Sequence, residues 1–236
     1  MLIETGDGLV LVDTGYGLGD VDRPERLPRF ARWTIRPRLD AAETAVRQIT
    51  RLGHAAEDVR HIVLTHLDYD HAGGLAEFPH AKVHVYAAEL DAALRPATSK
   101  ERLRYLPDQW AHGPDWVEHT TRGETWNGFS AVRDLPGLPP EVLLGPLAGH
   151  TRGHAGVAVN TGERWLLHAG DAYFSPLQMA ERPSCPPATR AFQTMFQADR
   201  AARVHNLNRL NELARSGAVE VFSAHDSTEF DRARTE

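Results

Sequence analysis

Four times in this chain an apolar run stops at a histidine or an aspartate. The densest case is Thr65-His66-Leu67-Asp68-Tyr69-Asp70-His71-Ala72-Gly73-Gly74, which directly follows the strand-like run HIVLT. Leu147-Ala148-Gly149-His150, Leu167-His168-Ala169-Gly170-Asp171 and Phe222-Ser223-Ala224-His225-Asp226 repeat the design. A loop at the end of a buried strand can splay polar side chains toward one point, and small neighbours let other backbone come close. Histidine nitrogen with carboxylate oxygen suits zinc, manganese or iron. A single such residue is ordinarily a turn or hydrogen-bonding group. Four segments of one design are harder to dismiss and point to a shared metal site.

Composition narrows the rest. The 236 residues are 42% hydrophobic and 25% charged, enough to bury a core in one large domain or two small ones. Thirteen His stand against the single Cys185, which excludes an internal disulfide and a Cys-based zinc site. In its setting RPSCPP, Cys185 reads as structural or incidental. A net charge of -6 gives no electrostatic case for nucleic acid or an anionic membrane as partner. No apolar run reaches ~18 residues, so no transmembrane helix is expected. The opening MLIETGDGLVLVDTG meets acidic and glycine residues too early for a secretory signal, and the expectation is a soluble, cytoplasmic protein.

LIET and GLVLVDTG read as a hairpin around Gly6-Asp7-Gly8. A proline- and arginine-rich stretch with Phe30 and Trp33 runs to about Pro37, and helical spacing spans Leu39 to Leu52, stopped by Gly53. Gly73 to Phe78 reads as a short helix and KVHVY as a strand. Residues ~92–122 look irregular, a possible lid or insertion, with Tyr105, Trp110 and Trp116 as pocket wall or core filler. GFSAVRDL, EVLLGPLAG, AGVAVNT, RWLLHAG and VEVFSA continue the strands. Ala188–Ser216 is helical in pattern, with Phe192, Met195, Phe196, Val204, Leu207, Leu210 and Leu213 as its stripe. The expectation is one α/β domain over 1–236 with mixed sheets.

These motifs together resemble the metallo-β-lactamase fold superfamily, and most closely its quorum-quenching lactonase-like branch. The family pattern is H-x-H-x-D-H, then G-H-T-x-G-H, then G-D, then a late His. Its matches here are His66, Asp70, His71, His150, Asp171 and His225, and with Asp13-Thr14-Gly15 the likeness spans nearly the whole chain. The resemblance implies a four-layer αββα sandwich with two divalent metal ions at one edge of its sheets, zinc first. It assigns His66, Asp68 and His150 to one ion and Asp70, His71 and His225 to the other, with Asp171 bridging. Asp13 and His154 would hydrogen-bond ligands without touching metal. A Tyr three residues after the bridging Asp holds the substrate carbonyl in the lactonases; here that offset carries Phe174, with Tyr173 one residue short.

Asp68 departs from the family by standing where its second His is usual. A carboxylate oxygen lies as far from Cβ as imidazole Nδ1, so Asp68 can reach the same metal; alternatively it points away and the first site is weak or empty. On charge alone it makes the site less positive and favours manganese or iron, and Asp68→His should raise zinc affinity. The resemblance implies a hydrolase in which a metal-bridging hydroxide attacks a small lactone, ester or related acyl substrate, with Asp70 and Asp171 central. The alternative is an iron-dependent oxidoreductase of the same fold, sulfur dioxygenase-like or diiron-like; a third class is a binding module with a damaged site. Family members usually enter the first hairpin from a further strand. If that strand is missing here, an exposed sheet edge would favour a homodimer or instability.

Overall fold

The computed structural model describes residues 1–131 and 135–235. The Val132–Asp134 part of the GFSAVRDL run therefore lies outside the described residues. The chain divides into two compact units, Met1–His119 and Thr120–Glu236.

The first unit is built on a mixed sheet of five strands in the order β1-β2-β3-β4-β5. These are Leu2–Thr5, Gly8–Val12, Val59–Val63, Lys82–Tyr86 and Asp115–His119. β1 and β2 form the expected antiparallel hairpin, closed at Thr5↔Gly8, while β2 to β5 run parallel. Parallel neighbours need crossovers, and helices α1 (Leu18–Asp22), α2 (Ala45–Arg51), α3 (Ala87–Leu94) and α4 (Ser99–Arg104) lie in them. The helix expected from Leu39 is shorter: Ala41–Glu43 is a 3₁₀ turn, and α2 begins only after Thr44. Gly73–Phe78 likewise reduces to a 3₁₀ turn at Leu75–Glu77.

One face of this sheet sends Leu9, Leu11, Ile62, Val83 and Val85 into a core shared with Ile49, Leu90, Tyr105 and Trp110. Period-two alternation puts the neighbouring side chains on the other face. That face carries an unusual ladder. His61 Nδ1 lies 2.9 Å from His84 Nε2, and His84 Nδ1 lies 2.9 Å from His119 Nε2, linking β3, β4 and β5. His84 is fully buried. Burial, then the flanking imidazoles and Lys82, push its pKa down to about 3. Burial lowers His61 and His119 as well, with Lys82 adding to the effect at His61.

A histidine whose folded pKa is depressed takes up its proton on unfolding, so its contribution is present above the unfolded pKa of about 6.5 and is lost as pH falls below it. From pH 7 to pH 5 the wild type should lose about 2 kcal/mol more unfolding free energy than His84→Gln does. Urea titrations at the two pH values measure this. Equal losses in both proteins would show that this imidazole is not the group being titrated.

The second unit holds β8 (Val142–Pro146), β9 (Ala155–Asn160), β10 (Trp165–His168) and β11 (Val219–Phe222) in the order β11-β10-β9-β8. β10 and β11 are parallel and the other pairs antiparallel, so this sheet is mixed too. A separate hairpin pairs β6 (Glu124–Trp126) with β7 (Phe129–Ala131). Its turn is Asn127-Gly128, both residues at positive φ, as a tight two-residue reversal requires. Leu143, Leu147, Leu167, Val219 and Val221 pack with Leu210 and Leu213 into the second core.

The helical stretch expected over 188–216 is two helices, α5 (Pro187–Phe196) and α6 (Arg200–Ser216), followed after β11 by α7 (Ser227–Thr235). The break has a local cause: Asp199 leaves helical geometry and accepts from Ala202 N at 3.0 Å, starting a new helix. The stripe is also interrupted, since Met195 and Val204 are exposed. No helix among the described residues is long and apolar enough to cross a membrane.

Candidate metal centre

The loop after β3 is held from below by the loop after β2. Asp13 sits at φ 56, a left-handed conformation that a non-glycine residue adopts at some cost. From there its carboxylate accepts from Thr65 N at 2.7 Å, Thr65 Oγ1 at 2.7 Å and His71 Nδ1 at 2.8 Å. Thr65 Oγ1, having used its one proton on Asp13, accepts from His66 Nδ1 at 2.9 Å. In its neutral form each histidine thereby carries its proton on Nδ1 and presents Nε2 as a lone pair, the form in which imidazole binds metal. Thr14 completes the splice: its N and Oγ1 both donate to His71 O, and Gly74 N donates to its hydroxyl.

Ligand atoms of His66 and Asp68, of His66 and His71, and of Asp70 and His71 all approach within 4.8 Å. His66, Asp68 and His71 are buried and Asp70 half-buried. This donor chemistry, imidazole nitrogen with carboxylate oxygen, fits a divalent ion.

A second support comes from residues 89–110, of which all but the first few fall in the stretch ~92–122 that the sequence offered as a possible lid or insertion. Buried Glu89 on α3 accepts from Leu67 N at 3.0 Å and from the Tyr105 hydroxyl at 3.1 Å. Arg104, at the end of α4, places Nε 3.3 Å from Asp68 Oδ1. Gln109 donates to Tyr69 O at 2.9 Å and to Asp20. Tyr105 and Trp110 are core, not pocket wall, whereas Phe30 and Trp33 are exposed. Sequence reasoning missed Glu89, Arg104 and Gln109. The Thr98-x-x-Glu101 capping box marks the start of α4, but nothing in the chain marks Arg104 as facing Asp68.

In the second unit Asp171 is buried with its two oxygens turned to different histidines. Oδ2 lies 3.5 Å from His150 Nε2 and Oδ1 3.2 Å from His225 Nε2. His154 uses both ring nitrogens on backbone: Nδ1 on Leu147 O at 3.1 Å, and Nε2 as acceptor for Asp171 N at 2.8 Å. It therefore positions Asp171 and has no nitrogen left for a metal. His168 stays local, its Nδ1 accepting from Gly170 N at 3.3 Å.

Gly149 joins the His150 loop to α6. Its carbonyl accepts from Ala198 N and Asp199 N, both at 2.9 Å, and Asn206 on α6 donates to Ala148 O at 2.7 Å.

The two substrate candidates separate. Tyr173 is fully buried, and its hydroxyl donates to Glu229 on α7 at 2.9 Å. Phe174 stacks on His225 at 5.6 Å between centroids, edges toward His150 at 5.8 Å, and continues into Phe192 at 5.7 Å.

Residues 1–225 match the metallo-β-lactamase superfamily. The chain belongs to that superfamily. A probable metallo-hydrolase of Mycobacterium tuberculosis, Rv2300c, is 46% identical over 236 residues, covering 99% of this superfamily member and 76% of the relative. An N-acyl homoserine lactonase of a Bacillus species is 33% identical over 163 residues, covering 68% of this chain and 57% of its own. Among solved structures, an N-acyl homoserine lactone hydrolase with its product bound at the catalytic metal centre aligns with TM-score 0.69 at 23% identity. That alignment covers 98% of this chain and 82% of the other. The dizinc quorum-quenching lactonase AidC aligns with TM-score 0.60 at 16% identity, covering 95% and 70%. The two mixed sheets with their helices are thus the metallo-β-lactamase fold, and family and relatives support a hydrolase.

Proposed function

We propose that the chain is a dinuclear metal-dependent hydrolase of small lactones or related acyl esters, residues 1–236 acting as one catalytic domain. The observation that carries this reading is the pair of prepared ligand sets. One is His66, Asp68, Asp70 and His71, with both imidazole protons fixed on Nδ1; the other is His150, Asp171 and His225 around one shared carboxylate. His66, Asp68 and His150 would hold one ion and Asp70, His71 and His225 the other, with Asp171 common to both. Zinc is the first choice, with manganese or iron admitted by the extra carboxylate. Bound divalent ions supply Lewis acidity and an activated water at neutral pH.

The chain's own groups do the rest. Asp13 and Thr65 keep the Nδ1 protons of His71 and His66 in place, so neither ring can turn away. His154 fixes the backbone of Asp171. As water adds to the substrate carbonyl and the acyl C–O bond breaks, one water proton must reach the departing alkoxide. Asp70, half-buried in the loop, is the group assigned to carry it. Phe174 with half-buried Phe192 and Phe196 supplies an apolar wall suited to an acyl chain. The relatives described above are hydrolases and lactonases, which does not favour the iron-dependent oxidoreductase reading.

The test is a metal count by plasma mass spectrometry on protein purified without chelator, followed by turnover of N-acyl homoserine lactones of graded chain length beside simple esters. About two equivalents of metal with lactone opening is the expected result. One equivalent of iron with oxygen consumption and no ester turnover would overturn it.

A further inference from the structure

We propose that Arg104 is the charge partner of Asp68, so that the two together take the place of the neutral histidine usual at this position. The inference rests on the dinuclear reading and deepens it.

The carboxylate is used on both sides. Oδ1 faces Arg104 Nε at 3.3 Å, and Oδ2 faces the lone-pair nitrogen of His66 at 3.5 Å. One oxygen faces the guanidinium at ion-pair distance while the other is turned to His66. The arginine side chain is only 5% exposed, so water does little to solvate its charge, and an anion beside it is what makes burial tolerable. Asp68 and Arg104 sum to zero formal charge, as a neutral imidazole does. The site therefore keeps its overall positive balance although its donor atom has changed from nitrogen to oxygen.

Arg104 is also held in register with the loop. The adjacent Tyr105 hydroxyl and Leu67 N share Glu89 Oε1, and Leu67 immediately precedes Asp68. The start of α4 is fixed by its capping box, with Glu101 N donating to Thr98 Oγ1 and Thr98 N to Glu101 Oε2. An arginine so mounted restricts rotation of the carboxylate, which a flexible lysine ammonium would do less well.

This reverses the expectation from charge alone. Asp68→His does not restore the usual family site; it leaves a buried guanidinium facing a cation site. Zinc affinity, measured by competition with a chelator, should fall about 10-fold in Asp68→His and return to within about 3-fold of wild type in Asp68→His/Arg104→Gln. The Tm of the metal-free proteins gives an independent readout. Each single substitution should lower it, and the double substitution should recover most of the loss. Tighter zinc binding by Asp68→His, with additive Tm changes, overturns the inference. Wild-type protein that binds none of zinc, manganese and iron overturns the dinuclear reading instead, and the Tm cycle still decides whether Arg104 and Asp68 are coupled.

Discussion

Asp171→Ala is expected to cost about three orders of magnitude in kcat/KM on any substrate the enzyme turns over. Among the second unit's candidate ligands its carboxylate faces both His150 and His225, one oxygen toward each, and its backbone N–H is pinned to His154. Losing it leaves two imidazoles with no shared anion between them. Neutralising a developing oxyanion with metal is worth several kcal/mol, and each 1.36 kcal/mol is a factor of about ten. Metal content should fall with activity, and mass spectrometry on the same preparations would show it. Asp171→Asn keeps the shape and removes only the charge, so it separates loss of charge from loss of packing. An Asp171→Ala protein with two metals and wild-type turnover would remove Asp171 from the shared position.

Gly149→Ala is expected to be strongly destabilising, a single methyl placed in the loop that carries His150. Gly149 sits at φ +140, where any side chain is strained, and an added Cβ would lie 2.4 Å from Arg203 N and 2.5 Å from Arg203 Cα. Those atoms are backbone within α6 and cannot swing aside. The same residue accepts the amides of Ala198 and Asp199 as α6 begins. The collision thus breaks the seat of the helix as well as the loop of His150. A cost of at least about 3 kcal/mol follows, seen as a drop of about 1 M or more in the urea midpoint. An unchanged midpoint would mean that the α6 start and the His150 loop part without cost.

Much of the candidate site was legible because each of its residues follows an apolar strand, a pattern that depends only on neighbours in the chain. His66, Asp70, His71, His150, Asp171 and His225 all stand where that pattern put them, after β3, β8, β10 and β11. Asp13 was legible from the Asp-Thr-Gly loop after β2. What could not be read were groups whose role depends on a distant partner. Glu89 and Arg104 look like ordinary charges on helices, and only folding turns them inward onto Leu67 and Asp68. Tyr173 misled for the converse reason: proximity in sequence to Asp171 says nothing about Glu229, fifty-six residues on, which takes its hydroxyl. Some signals were local and passed over. Asn127-Gly128 spells a two-residue hairpin, and Asp199 marks the break that divides α5 from α6.

The imidazole ladder across β3, β4 and β5 has one more property. Each neutral ring owns one proton and two nitrogens, so the row can be wired in either of two senses. In one, His61 donates to His84 and His84 to His119, every proton on Nδ1; in the other every proton sits on Nε2 and the donors run from His119 back to His61. Both senses satisfy both contacts, and a mixed row leaves two protons or two lone pairs face to face. The three tautomers must therefore reverse together, with no change in total charge. Imidazole ¹⁵N shifts would report the row as one two-position object, reversing a dipole that spans three strands.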